Sequence, residues 1–163
     1  MTADVDVTIE LRNLAARALL QELSAVGFSL RIDLGDEFLR DARLWPLVHE
    51  PTAMPVDVVI AASNVHKEFL DRRRLVDMGG RRVPMISPED LVVTKVLAAR
   101  RKDFDDLRGV LTTQTNIDID RIRRLLAELD AALGGDALSR RFERLIRAVE
   151  RDSSLHTRRS RPT

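Results

Sequence analysis

The chain has 163 residues, which is enough for one domain, or for one small domain with an appended helical part. Its 44% hydrophobic and 33% charged residues are typical of a soluble globular protein. A net charge of +1 does not produce the strong overall electrostatic field of a dedicated nucleic-acid binder. The absence of cysteine excludes disulfides, zinc thiolate sites and a thiol nucleophile. No apolar run has the length of a membrane span, so we expect a cytoplasmic protein with no membrane partner.

The first half of the chain has the pattern of a sheet with short helices. TADVDVTI predicts a strand that carries Asp4 and Asp6 on one face and valines on the other. A helix is predicted over residues 12–27 and a strand in FSLRIDL, whereas GDEFLRDARLW is compatible with a short helix or a loop. Two strands then meet around EPTAMP, and the second, PVDVVIAA, is apolar enough to be buried on both faces. NVHKEFLDRRR predicts a short helix, and LVDMGGRRVPMI predicts a hairpin that turns at its two glycines.

The second half of the chain has a helical pattern. The sequence SPED at 87–90 supplies an N-cap residue, a proline at the first helical position and acids in the first turn. Helices are predicted over 88–101, 103–113, 118–132 and 136–150, and the polar, basic residues 151–163 are predicted to form a disordered tail. We therefore predict an α/β (α+β) fold, with a sheet layer over 1–85 and a helical part over 86–150.

Three carboxylates are candidates for a metal site. Asp4 and Asp6 lie side by side on one strand face, although surface strands often carry such pairs. Asp57 interrupts an apolar strand, and it needs a partner because a buried unpaired charge costs several kcal/mol. If the two strands are neighbours, the three carboxylates gather on one patch that suits Mg²⁺ or Mn²⁺.

A second group of charged residues lies in the helical part. Lys95 has only apolar residues three and four positions away on its helix, so it lies on the stripe that should face the core. Either it extends to the rim or pairs with an acid, or it has a functional role. Asp103 and Asp106 share a helical face, where they either form salt bridges with nearby basic residues or remain solvated.

Basic residues cluster locally. These clusters can bind the phosphate backbone of RNA or tRNA, but solvated helical faces are the default explanation, and the 4% aromatic content offers little stacking surface for bases. They comprise Arg72, Arg73, Arg74, Arg81 and Arg82, then Arg121, Arg123 and Arg124, and the arginines of the tail.

Taken together, these segments resemble the nucleotidyltransferase-fold proteins related to the AbiEii/AbiGii abortive-infection toxins. In those proteins a T-x-D-[VI]-D strand precedes an apolar strand with a third Asp, and a SPEDL…K…KD..D pattern follows. The matching segments here are TADVDVTI, PVDVVIAA and VPMISPEDLVVTKVLAARRKDFDDLRGVL, and the resemblance covers about residues 2–130. It implies a nucleotidyltransferase-like mixed sheet with flanking helices, followed by a helical part.

The resemblance also implies a mechanism. Asp4 and Asp6 would bind metal, and Asp57 would be the third carboxylate and a base toward the acceptor hydroxyl. Two Mg²⁺ ions would clamp a nucleoside triphosphate during in-line attack, with pyrophosphate leaving. Lys95 would approach the triphosphate, and Asp103 and Asp106 would order the helix around it. The acceptor would be a hydroxyl on RNA, tRNA, a protein or a small molecule, and an antitoxin would be a further partner.

One element of the family pattern precedes the DxD strand in its members. It is a helix and strand that end in a Gly-Gly or Gly-Ser turn, whose backbone N–H groups hold the triphosphate. Here Met1 comes almost directly before that strand. Either Met1 is an internal methionine of a longer product, or the phosphate cradle is missing. The second case predicts a catalytically degenerate interaction or regulatory module.

Overall fold

The computed structural model of the protein describes residues 4–11, 15–32, 43–100, 103–114 and 116–159, with 152–159 described by backbone alone. The chain divides into two compact units, Met1–Arg72 and Arg73–Thr163. The first, which we call the sheet unit, contains the larger sheet, and the second, the helical unit, contains a hairpin and the later helices. The end of the sheet layer at residue 85 stays a prediction from the sequence.

The sheet unit is built on a mixed sheet, as predicted. In the described part of the chain its strands are β1 Val5–Ile9, β2 Phe28–Leu30, β3 Leu44–His49 and β4 Met54–Ile60. Their order is β1-β4-β3-β2, with β1 parallel to β4 and the other neighbours antiparallel. The described part of this unit also contains two helices, α1 Ala16–Ala25 and α2 Asn64–Asp71, and a 3₁₀ turn at Glu50–Thr52. Most of GDEFLRDARLW lies outside the described residues, and its last two residues begin β3.

Alternation along the strands separates an apolar face of the sheet from a polar one. Trp45 and Leu47 of β3 pack with Val58 and Ile60 of β4 to form the buried core of this unit. The apolar side of α1 covers that core with Leu19, Leu20 and Leu23. β4 was predicted to be buried on both faces, but Asp57 and Val59 are only half-buried, because alternate residues point away from α1.

The end of α1 follows the sequence signal closely. The helix ends at Ala25, and Gly27 then takes a φ of +90°, a conformation that residues with a Cβ rarely adopt. Val26 is 63% exposed because it already belongs to the turn after the helix.

The helical unit begins with the predicted hairpin. Strands β5 Arg74–Asp77 and β6 Arg82–Met85 pair antiparallel, and the turn contains Gly79 and Gly80, both with positive φ. The helices that follow are α3 Pro88–Ala98, α4 Asp103–Thr113, α5 Ile119–Leu133 and α6 Ala137–Arg159. α3 ends earlier than predicted, since Ala99 takes a left-handed conformation, and α6 continues beyond residue 150.

The start of α3 is confirmed in detail. Ser87 is the N-cap, and its hydroxyl accepts a hydrogen bond of 3.1 Å from the backbone N–H of Asp90. α3 packs against α4, α5 and α6, and α5 packs against α6. Aliphatic residues at helical spacing form the buried side of these helices, including Val92, Val93, Val96, Leu107, Ile122, Leu125, Leu126, Leu138 and Leu145, together with Phe142. Among the described helices, none combines the length and apolarity required to cross a membrane.

Candidate active site

Two of the predicted carboxylates are direct neighbours in the sheet. β1 and β4 are parallel, and their register pairs Asp6 with Asp57. Register partners on adjacent strands project from the same side of a sheet, so both carboxylates lie on the face opposite the Trp45 core. Asp6 is exposed and Asp57 is half-buried. The structure thus brings an acid from the beginning of the chain together with one about fifty residues later.

Asp4, the third predicted carboxylate, lies one residue before β1. It is half-buried and lies two residues before Asp6, at the N-terminal end of β1. The two acids of DVD are therefore placed differently, since Asp6 is within the sheet and Asp4 precedes it.

Asp57 has a cationic partner that was not predicted from the sequence. The guanidinium of Arg31 forms a salt bridge with the Asp57 carboxylate. Arg31 follows β2 directly, and its backbone N–H donates a 2.9 Å hydrogen bond to the carbonyl of Pro46. Pro46 is in turn the register partner of Asp57. The four residues that lie in one line across the sheet are therefore Asp6, Asp57, Pro46 and Arg31.

The helical unit holds the second predicted group together. The Lys95 ammonium donates to Asp106 Oδ2 at 2.6 Å and to Asp103 Oδ1 at 3.5 Å. Burial alone would lower the pKa of Lys95, but the hydrogen bond and charge of Asp106, with those of Asp103, raise it overall. Lys95 is therefore a protonated cation whose ammonium is held by Asp103 and Asp106.

The turn between α3 and α4 creates this group. After α3 ends at Ala98, the backbone N–H of Arg100 donates to Asp103 Oδ2 at 3.2 Å. The N–H of Asp103 donates back to the carbonyl of Arg100 at 3.0 Å. These reciprocal bonds bring the first turn of α4 to Lys95.

Comparison with protein families places this arrangement in context. A family model described as "Nucleotidyltransferase of unknown function (DUF6036)" matches residues 1–153 of the chain. The chain belongs to this family. No curated protein matches the sequence. The family supports the nucleotidyltransferase part of the predicted resemblance, whereas the link to abortive-infection toxins stays a prediction.

Nucleotidyltransferases use a nucleoside triphosphate as substrate and transfer its nucleoside monophosphate. Within the described ranges of this family member, no three His, Asp or Glu side chains are grouped so that they could hold a metal ion by themselves. Mg²⁺, however, commonly keeps several waters and binds one or two carboxylates together with substrate phosphates. Asp6 and Asp57 supply two such oxygen ligands from adjacent strands. This smaller donor set fits Mg²⁺ or Mn²⁺ bound to a nucleotide.

The SPED segment of this nucleotidyltransferase has a structural role that its sequence did not reveal. Glu89 is 2% exposed, and it accepts from Arg74 Nη2 and from the backbone N–H of Asp118, both at 3.3 Å. Asp90 is fully buried and bonds to Arg121 at 3.1 Å. The two acids were expected to be ordinary first-turn residues, and instead they tie α3 to β5 and α5.

These contacts also revise the predicted basic clusters. Arg121 was grouped with Arg123 and Arg124 as a phosphate-binding candidate, but it is buried against Asp90. Arg123 is held by Glu143 and Asp120. Arg81 and Arg82, in contrast, are exposed on the hairpin. The cluster around α5 is therefore largely structural.

Proposed function

We propose that this nucleotidyltransferase transfers a nucleoside monophosphate from a nucleoside triphosphate bound to Mg²⁺ or Mn²⁺ onto a hydroxyl acceptor. The observation that supports the proposal is the register pairing of Asp6 with Asp57 on one sheet face, in a member of a nucleotidyltransferase family. Paired carboxylates on a rigid sheet are costly without a cation, and a metal–nucleotide complex supplies one.

Each acid has a role in this proposal. Asp6 and Asp57 form the carboxylate pair that binds the metal–nucleotide complex, and metal binding by Asp4, which precedes β1, stays a prediction. Asp57 also accepts the proton of the acceptor hydroxyl, whose oxygen then bonds to the α-phosphorus as the bond to pyrophosphate breaks. When bound, the divalent cation stabilises the negative charge that develops on the phosphate oxygens.

Lys95 is the third component of the proposal. Its ammonium is a point charge suited to the phosphates of the nucleotide, and its hydrogen bonds to Asp103 and Asp106 fix its position. A charged group that is already oriented loses little conformational entropy when it binds a phosphate. Asp103 and Asp106 thus contribute to nucleotide binding through Lys95.

We further propose RNA or tRNA as the acceptor, with a protein or small-molecule hydroxyl as the competing outcome of the test. Arg81 and Arg82 on the exposed hairpin support this choice, because guanidinium groups bind phosphate backbones. The resemblance to abortive-infection toxins extends the proposal to a toxin-like activity that a partner antitoxin restrains.

A second candidate function is favoured by one observation. Arg31 forms a salt bridge with Asp57, so this carboxylate has a cationic partner within the protein itself. If that salt bridge is permanent, the protein is a catalytically degenerate nucleotidyltransferase-like module that acts by binding a partner.

Titration calorimetry with Mg²⁺ and Mn²⁺ distinguishes the two functions. We expect divalent binding by the wild-type protein, and loss of that binding in Asp6→Asn and in Asp57→Asn. Glu22→Gln is the matched control, since it removes an exposed carboxylate of α1 from the same unit. Metal affinity that is unchanged in both aspartate variants would contradict the enzyme and favour the module.

The acceptor is tested by incubation of the full-length chain with each α-³²P-labelled nucleoside triphosphate. Total RNA, tRNA and nuclease-treated cell extract serve as separate acceptor pools. We expect label in RNA with the wild-type protein and none with Asp6→Asn. Label that appears only in the nuclease-treated extract would identify a protein or small-molecule acceptor instead.

A further inference from the structure

We propose that Arg31 is a displaceable counter-ion, whose guanidinium occupies Asp57 until a divalent cation replaces it. The inference rests on the proposed function above and adds to it a residue that controls access to the metal site. Arg31 is a positioning residue in this scheme, because it acts through the carboxylate of Asp57 and has no assigned contact with the substrate.

The backbone holds Arg31 in this place. Its N–H donates to the Pro46 carbonyl at 2.9 Å, which continues the pairing of β2 and β3 by one residue. Pro46 lies beside Asp57 in the β3–β4 register, and Asp57 lies beside Asp6 in the β1–β4 register. The position of the guanidinium beside Asp57 therefore follows from the pairing of β2, β3 and β4.

Charge explains why a cation is needed there. Two carboxylates lie at adjacent register positions on one face, and Asp57 is 27% exposed, so water screens its charge only in part. Arg31 neutralises one of the two charges. Its own side chain is 39% exposed, so that the guanidinium can leave Asp57 and become solvated without crossing the core.

A divalent cation and a guanidinium compete for the same carboxylate. Both are positively charged, and at contact distance they repel each other strongly in a partly desolvated site. Binding of the metal at Asp57 therefore requires the loss of the Arg31 salt bridge. The predicted consequence is that Arg31 weakens the affinity of the ligand-free protein for a bare divalent cation.

The test is a titration with Mn²⁺ at low ionic strength, with free Mn²⁺ measured by electron paramagnetic resonance. Arg31→Gln should bind Mn²⁺ about fivefold more tightly than the wild type, the upper end for a partly exposed ion pair. Arg43→Gln is the matched control, since Arg43 is exposed, precedes β3 and belongs to the same unit. It removes an equal charge and should leave the affinity nearly unchanged.

A double-mutant cycle isolates the contact from the general effect of charge. In the Asp57→Asn background, Arg31→Gln should no longer tighten Mn²⁺ binding, because the carboxylate for which the two cations compete is absent. Arg31→Lys keeps a cation but loses the planar fork, and its affinity should lie between those of the wild type and Arg31→Gln. This variant also serves as the test if Arg31→Gln is unfolded by circular dichroism.

The outcomes separate this inference from the proposed function. Mn²⁺ binding that depends on Asp6 and Asp57 but is equal in the wild type and Arg31→Gln would overturn the counter-ion role and leave the enzyme intact. Equal tightening in Arg31→Gln and Arg43→Gln would also overturn it. Binding in Arg31→Gln but not in the wild type would support the counter-ion role but contradict the enzyme, because the wild type is expected to bind the metal. No binding in either protein would overturn both proposals.

Discussion

Asp6 and Asp57 are register partners on neighbouring parallel strands, so the sheet holds two carboxylates side by side while Arg31 pairs with only one of them. Without divalent cations, this arrangement should limit the stability of the protein, because like charges directly across from each other in a sheet are destabilising.

Neutralising the two acids should therefore have unequal effects on stability. In a metal chelator, Asp6→Asn should raise the free energy of unfolding by about 0.2–1 kcal/mol, since it removes repulsion and breaks no described ion pair. Asp57→Asn also removes the repulsion but loses the salt bridge with Arg31, so it should be less stable than Asp6→Asn. Urea unfolding measures both values. The prediction fails if Asp57→Asn is as stable as Asp6→Asn.

The sequence predicted the features of this site that depend on local pattern. Alternation in DVDVTI indicated a strand, and the charge within PVDVVIAA marked Asp57 as a residue that needs a partner. The partner itself could not be inferred, since Arg31 and Asp57 are 26 residues apart and meet only through the order of β2, β3 and β4.

Burial of charged residues was the least predictable feature. The SPED pattern correctly indicated the start of α3, because capping is a property of adjacent residues. Whether the acids of that first turn face water depends on helices that come later in the chain. Arg121, which covers Asp90, is 31 residues away. In the Lys95 group, by contrast, the partners lie on the next helix, and a structural pair with an acid was among the alternatives that the sequence left open.

Lys95 gives a prediction for nucleotide binding. Lys95→Met should weaken the binding of nucleoside triphosphates about tenfold or more, the usual effect of losing a charge-assisted hydrogen bond of at least 1.4 kcal/mol. The pKa of Lys95 is raised, so its ammonium stays charged through the ordinary titration range of a lysine. It loses its proton only at strongly alkaline pH. The effect should therefore be constant across neutral pH.

Calorimetric titration with each of the four ribonucleoside triphosphates measures this effect. Lys67→Met is the matched control, since Lys67 is an exposed lysine on α2. Asp106→Asn should weaken binding less than Lys95→Met, because Asp103 still contacts the ammonium. Equal affinities of Lys95→Met and the wild type would remove Lys95 from the nucleotide site.

Glu89 gives a prediction for pH dependence. Burial alone would raise the pKa of Glu89, but hydrogen bonds from backbone N–H groups, including that of Asp118, and the charge of Arg74 lower it overall. A carboxylate with a lowered pKa stabilises the folded state above its ordinary titration range, and this contribution is lost as the pH falls through the folded pKa. Glu89→Gln should therefore destabilise the protein by about 1.5–3 kcal/mol at neutral pH and by progressively less in acid.

Urea unfolding at neutral pH and at a series of acidic pH values tests this dependence. Glu128→Gln serves as the control because Glu128 is exposed on α5, and its difference from the wild type should stay small at every pH. A deficit of Glu89→Gln that is independent of pH would show that only the shape of the side chain matters.

The buried pair of Asp90 and Arg121 gives the largest expected change in stability. Asp90 is fully buried and the Arg121 side chain is 7% exposed, and they meet at 3.1 Å where α3 packs on α5. Asp90→Asn should cost about 3–5 kcal/mol, since it leaves the guanidinium buried beside a neutral group. Replacing both residues, as Asp90→Asn with Arg121→Met, should cost less than the sum of the single changes.

Arg124→Met, an exposed position on the same helix, should change the free energy of unfolding by no more than about 0.5 kcal/mol. Additive single changes in urea unfolding would show that the two side chains stabilise the helical unit independently, through their other contacts.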